Sequence, residues 1–446
     1  MPLASEQTIR AAFFDFTTTA TAPEEISRCA RYIDDGLLKI DAGRIVSLQP
    51  FTPGDVEADA TRVIDLRGKL IMPGFIDTHI HYPQMEVTAA SGDQLLEWLN
   101  HYIYPAEGKY HCAQHAARMS AFFLEQLLSN GTTTALVFGT VHPQSVEALF
   151  SAAGALNMRL IAGKVMMDRH APDYLLEDAE TSFQQTRELI ERWHNRGRLS
   201  YALTPRFAPA TSPALLEKVQ ALRHAWPDIW LQTHLSENIE EVAWVKSLFP
   251  ERENYLDVYH HYQLTGRRSV FAHCLHLEEK EWDCLRATGS SIAFCPTSNL
   301  FLGSGVFNLQ RCWQQRVKMG IGTDIGAGTT FNLLQTLNEA WKVGQLGNYR
   351  LSACEAFYHA TLGGAHALDL DSLIGNFSAG KEADFVVIDP AVTPLQQLRI
   401  DNSQDIYEQL FILMMSGNDR NIMQTWVNGQ PVWQRDQKRR GEVPSR

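Results

Sequence analysis

Cysteine is scarce and scattered along the 446 residues. Cys29, Cys112, Cys274, Cys284, Cys295, Cys312 and Cys354 form no Cys-x-x-Cys pair, and seven is an odd number. This speaks against a disulfide framework and for a cytoplasmic protein with free thiols. Long apolar runs are also missing. Phe411 to Met415 is far too short to span a bilayer, and Met1 to Asp15 lacks the basic segment and apolar core of a signal peptide. The net charge is −12, and positive charge clusters only at Lys438-Arg439-Arg440. A nucleic-acid partner is therefore not expected. There is no P-loop, no Gly-x-Gly-x-x-Gly and no Gly-x-Ser-x-Gly, so nucleotide-cofactor and serine-hydrolase chemistries have no anchor. The unrelated zinc deaminase fold needs Pro-Cys-x-x-Cys, which does not occur.

What is present suits a soluble globular chain, with 45% apolar and 20% charged residues. The length corresponds to roughly two to three domains. Gly36 to Ile40 and Arg44 to Leu48 flank Asp41-Ala42-Gly43, a hairpin signal. Strand-like segments recur at Ala383 to Asp389 and Gln424 to Gly429. One β-sandwich domain built from both termini is expected, with residues 1–70 and 376–446 enclosing a middle portion, 71–375.

In that middle portion eight strands are expected: Phe75–His81, Thr133–Gly139, Arg159–Met167, Leu199–Pro205, Ile229–His234, Ser269–His273, Ser291–Cys295 and Lys318–Asp324. Stretches of helical periodicity separate most of them, among them Gln114 to Ser129, Thr181 to Asn195 and Leu215 to Ala225. Eight such units predict a (β/α)8 TIM-like barrel, whose catalytic groups belong at the C-terminal ends of the strands. An insert, Ala89 to Tyr110 within residues 82–112, follows strand one and is placed to form a lid.

The polar residues fall at those ends. His79 and His81 stand two apart on strand one, so their side chains share a face. His234 ends strand five, His273 strand six and Asp324 strand eight. His79, His81, His234 and Asp324 form a ligand set for one metal with a position left for water. Such a metal lowers the pKa of its water to about 7. Glu237, three residues past His234, is placed as general base. His273 and Asp324 are placed to steady the attacking water or the developing negative charge. A lone histidine is ordinarily a surface or satisfied core residue, and His101, His142, His194, His260, His261, His276 and His366 are read so. Cys295 and Lys164 are read as structural, Lys164 with an outer role at most.

These segments resemble the amidohydrolase superfamily. The resemblance rests on Pro73-Gly74-Phe75-Ile76-Asp77-Thr78-His79-Ile80-His81 and on Gly380-Lys381-Glu382-Ala383-Asp384, and it covers nearly the whole chain. Two-metal members carry a lysine on strand four. Leu199 to Pro205 has none, which matches the one-metal branch rich in aminohydrolases. Within that branch, His81-Tyr82-Pro83-Gln84, Thr204-Pro205-Arg206-Phe207-Ala208-Pro209, Thr233-His234-Leu235-Ser236-Glu237-Asn238, Trp98-Leu99-Asn100 and Tyr104-Pro105-Ala106-Glu107 are similar to the guanine deaminase family. The resemblance implies hydrolysis of guanine to xanthine and ammonia, one Zn2+ per subunit with Fe2+ as the alternative, and a homodimer. It also implies that Gln84, Arg206 and Phe207 bind the purine. Their chemistry agrees. Arg206 offers a fork of donors for O6, Gln84 offers both donor and acceptor, and Phe207 or Trp98 can stack on the ring. His81, His234 and Glu237 are expected to contact substrate as well. The rival readings are a hydrolase of another heteroaromatic base (another purine, cytosine or a triazine) and a noncatalytic scaffold of the same fold.

Overall fold

The computed structural model describes residues 6–53, 63–91 and 95–435; the Lys438-Arg439-Arg440 cluster, part of the amino-terminal stretch and part of the insert lie outside them. Sixteen strands are named here in chain order. They are β1 (Gln7–Phe16), β2 (Ala30–Asp41), β3 (Arg44–Pro50), β4 (Val63–Pro73), β5 (Phe75–His81), β6 (Thr132–Phe138), β7 (Arg159–Gly163), β8 (Val165–Met166), β9 (Leu199–Pro205), β10 (Trp230–Leu235), β11 (Ser269–His273), β12 (Ser291–Phe294), β13 (Lys318–Ile321), β14 (Phe385–Ile388), β15 (Ile422–Val427) and β16 (Gln430–Gln434).

The strands β5-β6-β7-β9-β10-β11-β12-β13 form a parallel ladder, with the short β8 on β9. Residues of β5, β6, β7, β9 and β11 are buried throughout. That is the pattern of parallel strands covered on one side by helices and on the other by the barrel interior. Helices begin where the sequence offers caps: Asp178 before 179–193, Ser212 before 213–225, and Asn238 with Glu241 in a capping box before 239–248. The circle is nearly closed. Asp324 N donates to His79 O at 2.9 Å, and Gly320 lies so close to Thr78 that a Cβ there would be 2.3 Å from Thr78 Cγ2. Ile76, Leu136, Ile161, Val270 and Ala293 share an interior cluster with Leu368, Leu370 and Ile374.

The second sheet runs β16-β15-β14-β4-β1-β2-β3 and is antiparallel except where β1 meets β4. It is one sheet curled on itself. Its two outer hairpins meet through Ala383, whose N donates to Gly43 O and whose O accepts from Gly429 N, each at 2.9 Å. Alternation in β1 explains the curl: Ile9, Ala11 and Phe13 face a small core with Leu38, Phe385 and Trp426. Phe14 and Phe16 instead join the main core with the barrel helices. Both chain ends thus contribute to the sheet, as the sequence predicts.

Two strands differ from expectation. The third splits into β7 and β8 at Lys164, whose side chain is turned into a buried ion pair with Glu177. The eighth ends at Ile321, because the chain turns to bring Asp324, at φ +52°, over the barrel mouth. Among the described residues no helix is long and apolar enough to cross a membrane, and all seven cysteines are free.

Candidate active site

The register of β5 against β6 shifts between Asp77 and Ile80, so this interval carries one extra residue. The shift lets Ile76 face the lower barrel while His79 and His81, three and five residues on, both face the centre of the mouth. Phe138 at the end of β6 holds the two rings, with centroids 5.1 and 4.5 Å away. Asp77 is fully buried. It accepts from His79 N at 3.2 Å and from the backbone and hydroxyl of Thr323, which ties strand one to the segment carrying Asp324. Burial pushes Asp77 up to about 7 against these hydrogen bonds.

His81 Nε2 lies 3.1 Å from His234 Nε2. Asp324 Oδ1 lies 3.3 Å from His79 Nε2 and 3.5 Å from His81 Nε2. The ligand atoms of His79, His81 and His234, and separately those of His79, His273 and Asp324, lie within 4.8 Å of one another. His234 Nδ1 donates to Arg206 O at 2.6 Å, which leaves the Nε2 lone pair facing the group. His79 Nε2, His81 Nδ1 and His273 Nε2 are buried with no hydrogen-bond partner. At 3.1 Å the His81 and His234 Nε2 atoms can share one proton or turn both lone pairs to a cation. The donor set therefore fits one divalent cation of the borderline class. Burial first, then the neighbouring imidazoles, lowers the His81 and His234 pKa values well below the usual range, so both rings stay neutral and able to ligate. Burial would raise Asp324, but the neighbouring imidazoles, His79 first and then His273 and His81, hold it well below the usual carboxylate range.

Glu237 follows β10 and faces His273, with Oε2 3.5 Å from His273 Nε2. Burial, then the charges of Asp324 and Glu241, raises Glu237 well above the usual carboxylate range. Glu241 fixes the turn that carries it, accepting from Glu237 N at 2.9 Å and from Tyr255 OH at 2.7 Å. His273 is held from behind by Asn299, whose Oδ1 lies 2.8 Å from His273 Nδ1. His273 and Asp324 both have left-handed backbone, at φ +71° and +52°. Such strain in non-glycine residues gathers at functional sites.

These groups form one side of a half-open cleft at the barrel mouth, whose empty space including open solvent is about 430 Å³. Its lining contains His81, Gln84, Trp98, Arg206, Phe207, His234, Glu237, His273 and Asp324, together with Leu99, Leu302 and Ala327. His79 stands behind them at the cluster. The sequence thus names every polar lining residue and, within Trp98-Leu99-Asn100, Leu99, whereas Leu302 and Ala327 carry no signal beyond being apolar. It misses Asn299 and the buried Asp77, although an aspartate within an apolar strand two residues before a His-x-His pair is a signal. Trp98 meets both expectations for it: it is 3% exposed in an apolar cluster with Phe207, and it also lines the cavity. None of His101, His142, His194, His260, His261, His276 and His366 lines it. Cys295 is buried, and burial pushes its thiol up.

Comparison with known proteins agrees with this geometry. Residues 70–432 match the amidohydrolase family. The chain is 62% identical to the guanine deaminase of Escherichia coli strain K12 over 96% of its length and 98% of that protein. A solved structure of the E. coli guanine deaminase superposes with a TM-score of 0.94 at 60% identity, covering 97% of this chain and all of that one. A guanine deaminase from C. acetobutylicum, solved with guanine in its active site, superposes at 0.87 and 29% identity, covering 96% of this chain and all of that one.

Proposed function

This chain belongs to the amidohydrolase family, and from that premise we propose that its barrel mouth hydrolyses guanine to xanthine and ammonia. The observation that carries the reading is the meeting, in one cavity, of a buried three-imidazole and aspartate cluster with a wall formed by Arg206, Gln84 and Phe207, which can donate to, accept from and stack on a flat base. The 62% identity to a guanine deaminase over nearly the whole chain supports it.

His79, His81, His234 and Asp324 would hold the metal, with Zn2+ as the first choice and Fe2+ as the alternative. When bound, it lowers the pKa of a water to about 7 and so supplies a nucleophile at neutral pH. The remaining work falls to the protein. Phe207 and Trp98 hold the flat base, and Arg206 donates toward O6. Glu237, 3.5 Å from His273 Nε2 on the same side of the cleft, takes one proton from the attacking water and gives it to N3, next to C2. The water oxygen adds to C2. His273 Nε2 and Asp324 hold the new hydroxyl as it forms. Glu237 then moves the hydroxyl proton to the exocyclic nitrogen, the C2–N bond breaks and ammonia leaves. One water is consumed for each ammonia released, and C2 becomes the second oxo carbon of xanthine. Leu99, Leu302 and Ala327 keep bulk water from the ring.

The seven free thiols support a cytoplasmic setting. The exposed Leu395 and Leu398 on helix 394–401, with Tyr407 and Phe411 on the next helix, support a homodimer. The test is purified protein with guanine, following xanthine and ammonia and measuring bound metal. Equimolar products at one metal per chain are expected. No product from guanine, with ammonia released from cytosine or a triazine, overturns the assignment.

A further inference from the structure

Glu107 is a charged side chain beside the cavity that the reaction above leaves without a task. It lies in the insert, on the short helix Tyr104–Gly108, and is 1% exposed. Its Oε1 accepts from Gln84 Nε2 at 3.0 Å and its Oε2 from Arg206 Nη1 at 2.7 Å. One carboxylate therefore joins two side chains that line the cavity from the ends of different barrel strands.

The chemistry of this bridge dictates a pattern. An ionised carboxylate only accepts. Gln84 must therefore turn its NH2 toward Glu107, and its carbonyl oxygen must face the other way. The space on that side is prepared: Gly326 has φ +126°, and a Cβ there would lie 2.1 Å from Gln84 Oε1. Any other residue at 326 would drive the amide out of this orientation. Arg206, which only donates, is fixed in its plane by the same carboxylate and by the Tyr104 ring, with its guanidinium carbon 5.3 Å from the ring centroid. Both side chains line the cavity, and the bridge leaves Arg206 a donor and holds the Gln84 carbonyl oxygen over Gly326, so that neither is free to reverse. A 6-oxo purine presents an acceptor, O6, beside a donor, N1–H. A 6-amino purine presents these two in the opposite order.

We propose that Glu107 is a positioning residue that fixes the hydrogen-bonding polarity of Gln84 and Arg206, and that the fixed pattern makes the cavity select 6-oxo over 6-amino purines. The inference rests on the guanine reading above.

The test measures kcat and KM for guanine and for 2,6-diaminopurine, which carries the same 2-amino leaving group with an amine at position 6. Wild type, Glu107→Gln and Glu107→Asp are compared, with bound metal and melting temperature recorded for each. Glu107→Gln lets the Gln84 amide reverse. Glu107→Asp keeps the charge beside Arg206 but is one methylene short of reaching both partners. In each variant the guanine preference, as the ratio of kcat/KM values, falls at least about 10-fold, chiefly through KM for guanine, as the loss of one buried charge-assisted hydrogen bond requires. A folded variant with wild-type metal content and an unchanged ratio overturns the proposal. So does an equal loss on both substrates through kcat alone, the mark of a merely structural role. If Glu107→Gln does not fold, Glu107→Asp decides. Wild-type protein inactive on guanine would instead remove the reading beneath the proposal.

Discussion

At the N-terminal ends of the barrel strands, Arg159 and Arg198 are buried against Glu382 and Asp384 of the curled sheet. At the C-terminal ends, four imidazoles are buried against Asp324 and Glu237. The four charged side chains of the floor are satisfied. Arg159 Nε and Nη2 reach the two oxygens of Glu382 at 2.8 and 2.5 Å. Arg198 donates to Glu382, to Asp384 and to Asn157 O. None of these four side chains has a buried atom without a partner. The mouth is not satisfied, since His79 Nε2, His81 Nδ1 and His273 Nε2 have none. An unmatched buried polar atom costs about 1–3 kcal/mol, so a fold retains several in one place only where something else compensates. Burial of charge alone does not separate architecture from chemistry; here the two ends differ in whether the buried charged groups are matched by hydrogen bonds.

That contrast can be tested from both ends. Glu237→Gln keeps shape and the metal ligands but removes the proton carrier. Turnover on guanine should fall about 10²- to 10⁴-fold while bound metal and melting temperature hold. Near-normal turnover would mean that another group carries the proton. Glu382→Ala should do the reverse. Two guanidinium groups lose their shared partner, which costs about 3–5 kcal/mol of stability in denaturant unfolding, with kcat of the folded enzyme unchanged. A loss of kcat without loss of stability would erase the distinction between the two ends. Asn299→Leu removes the partner of His273 Nδ1 at nearly constant volume. A loss of about 10- to 100-fold in activity is expected, with a stability loss of no more than the about 1–3 kcal/mol of one unmatched buried atom.

The smallest effect is on pH. Burial would raise Glu382, but the hydrogen bonds from Arg159 and the charge of Arg198 outweigh it and hold the carboxyl below its usual range. A depressed carboxyl stabilises the fold fully above its unfolded pKa of about 4.3, and the contribution is lost as pH falls through the folded value. Wild-type protein should therefore lose stability on acidification below that range, and Glu382→Gln should lose less over the same interval. Parallel curves would show that Glu382 is not the titrating group.

Much of the mouth was legible from the chain because strand-end residues of a parallel barrel converge whatever their separation in sequence. The strand order brings His79, His81, His234, His273 and Asp324 to one end of the barrel, and the register shift and left-handed turns then aim them. Their supports need contacts that no local pattern encodes. Gln84 meets Glu107 across 23 residues, Arg206 meets it across 99, and Asp77 meets Thr323 across 246. The segment Tyr104-Pro105-Ala106-Glu107 could be linked to the site by resemblance, but not the fact that Glu107 joins two walls of the cavity.

By itself the sequence determined the barrel and the sheet shared by both chain ends, because periodicity is a local property, and its motifs carried the family resemblance that implied the ligand set and the substrate class. The tertiary structure decided where the chain departs from regularity: the extra residue between Asp77 and Ile80, the break at Lys164, the left-handed turns at His273 and Asp324. It also decided which buried charges are paired. Pairing depends on distances set only when the sheet closes, and a charge buried on closure must find a partner or leave a vacant hydrogen bond for function to use.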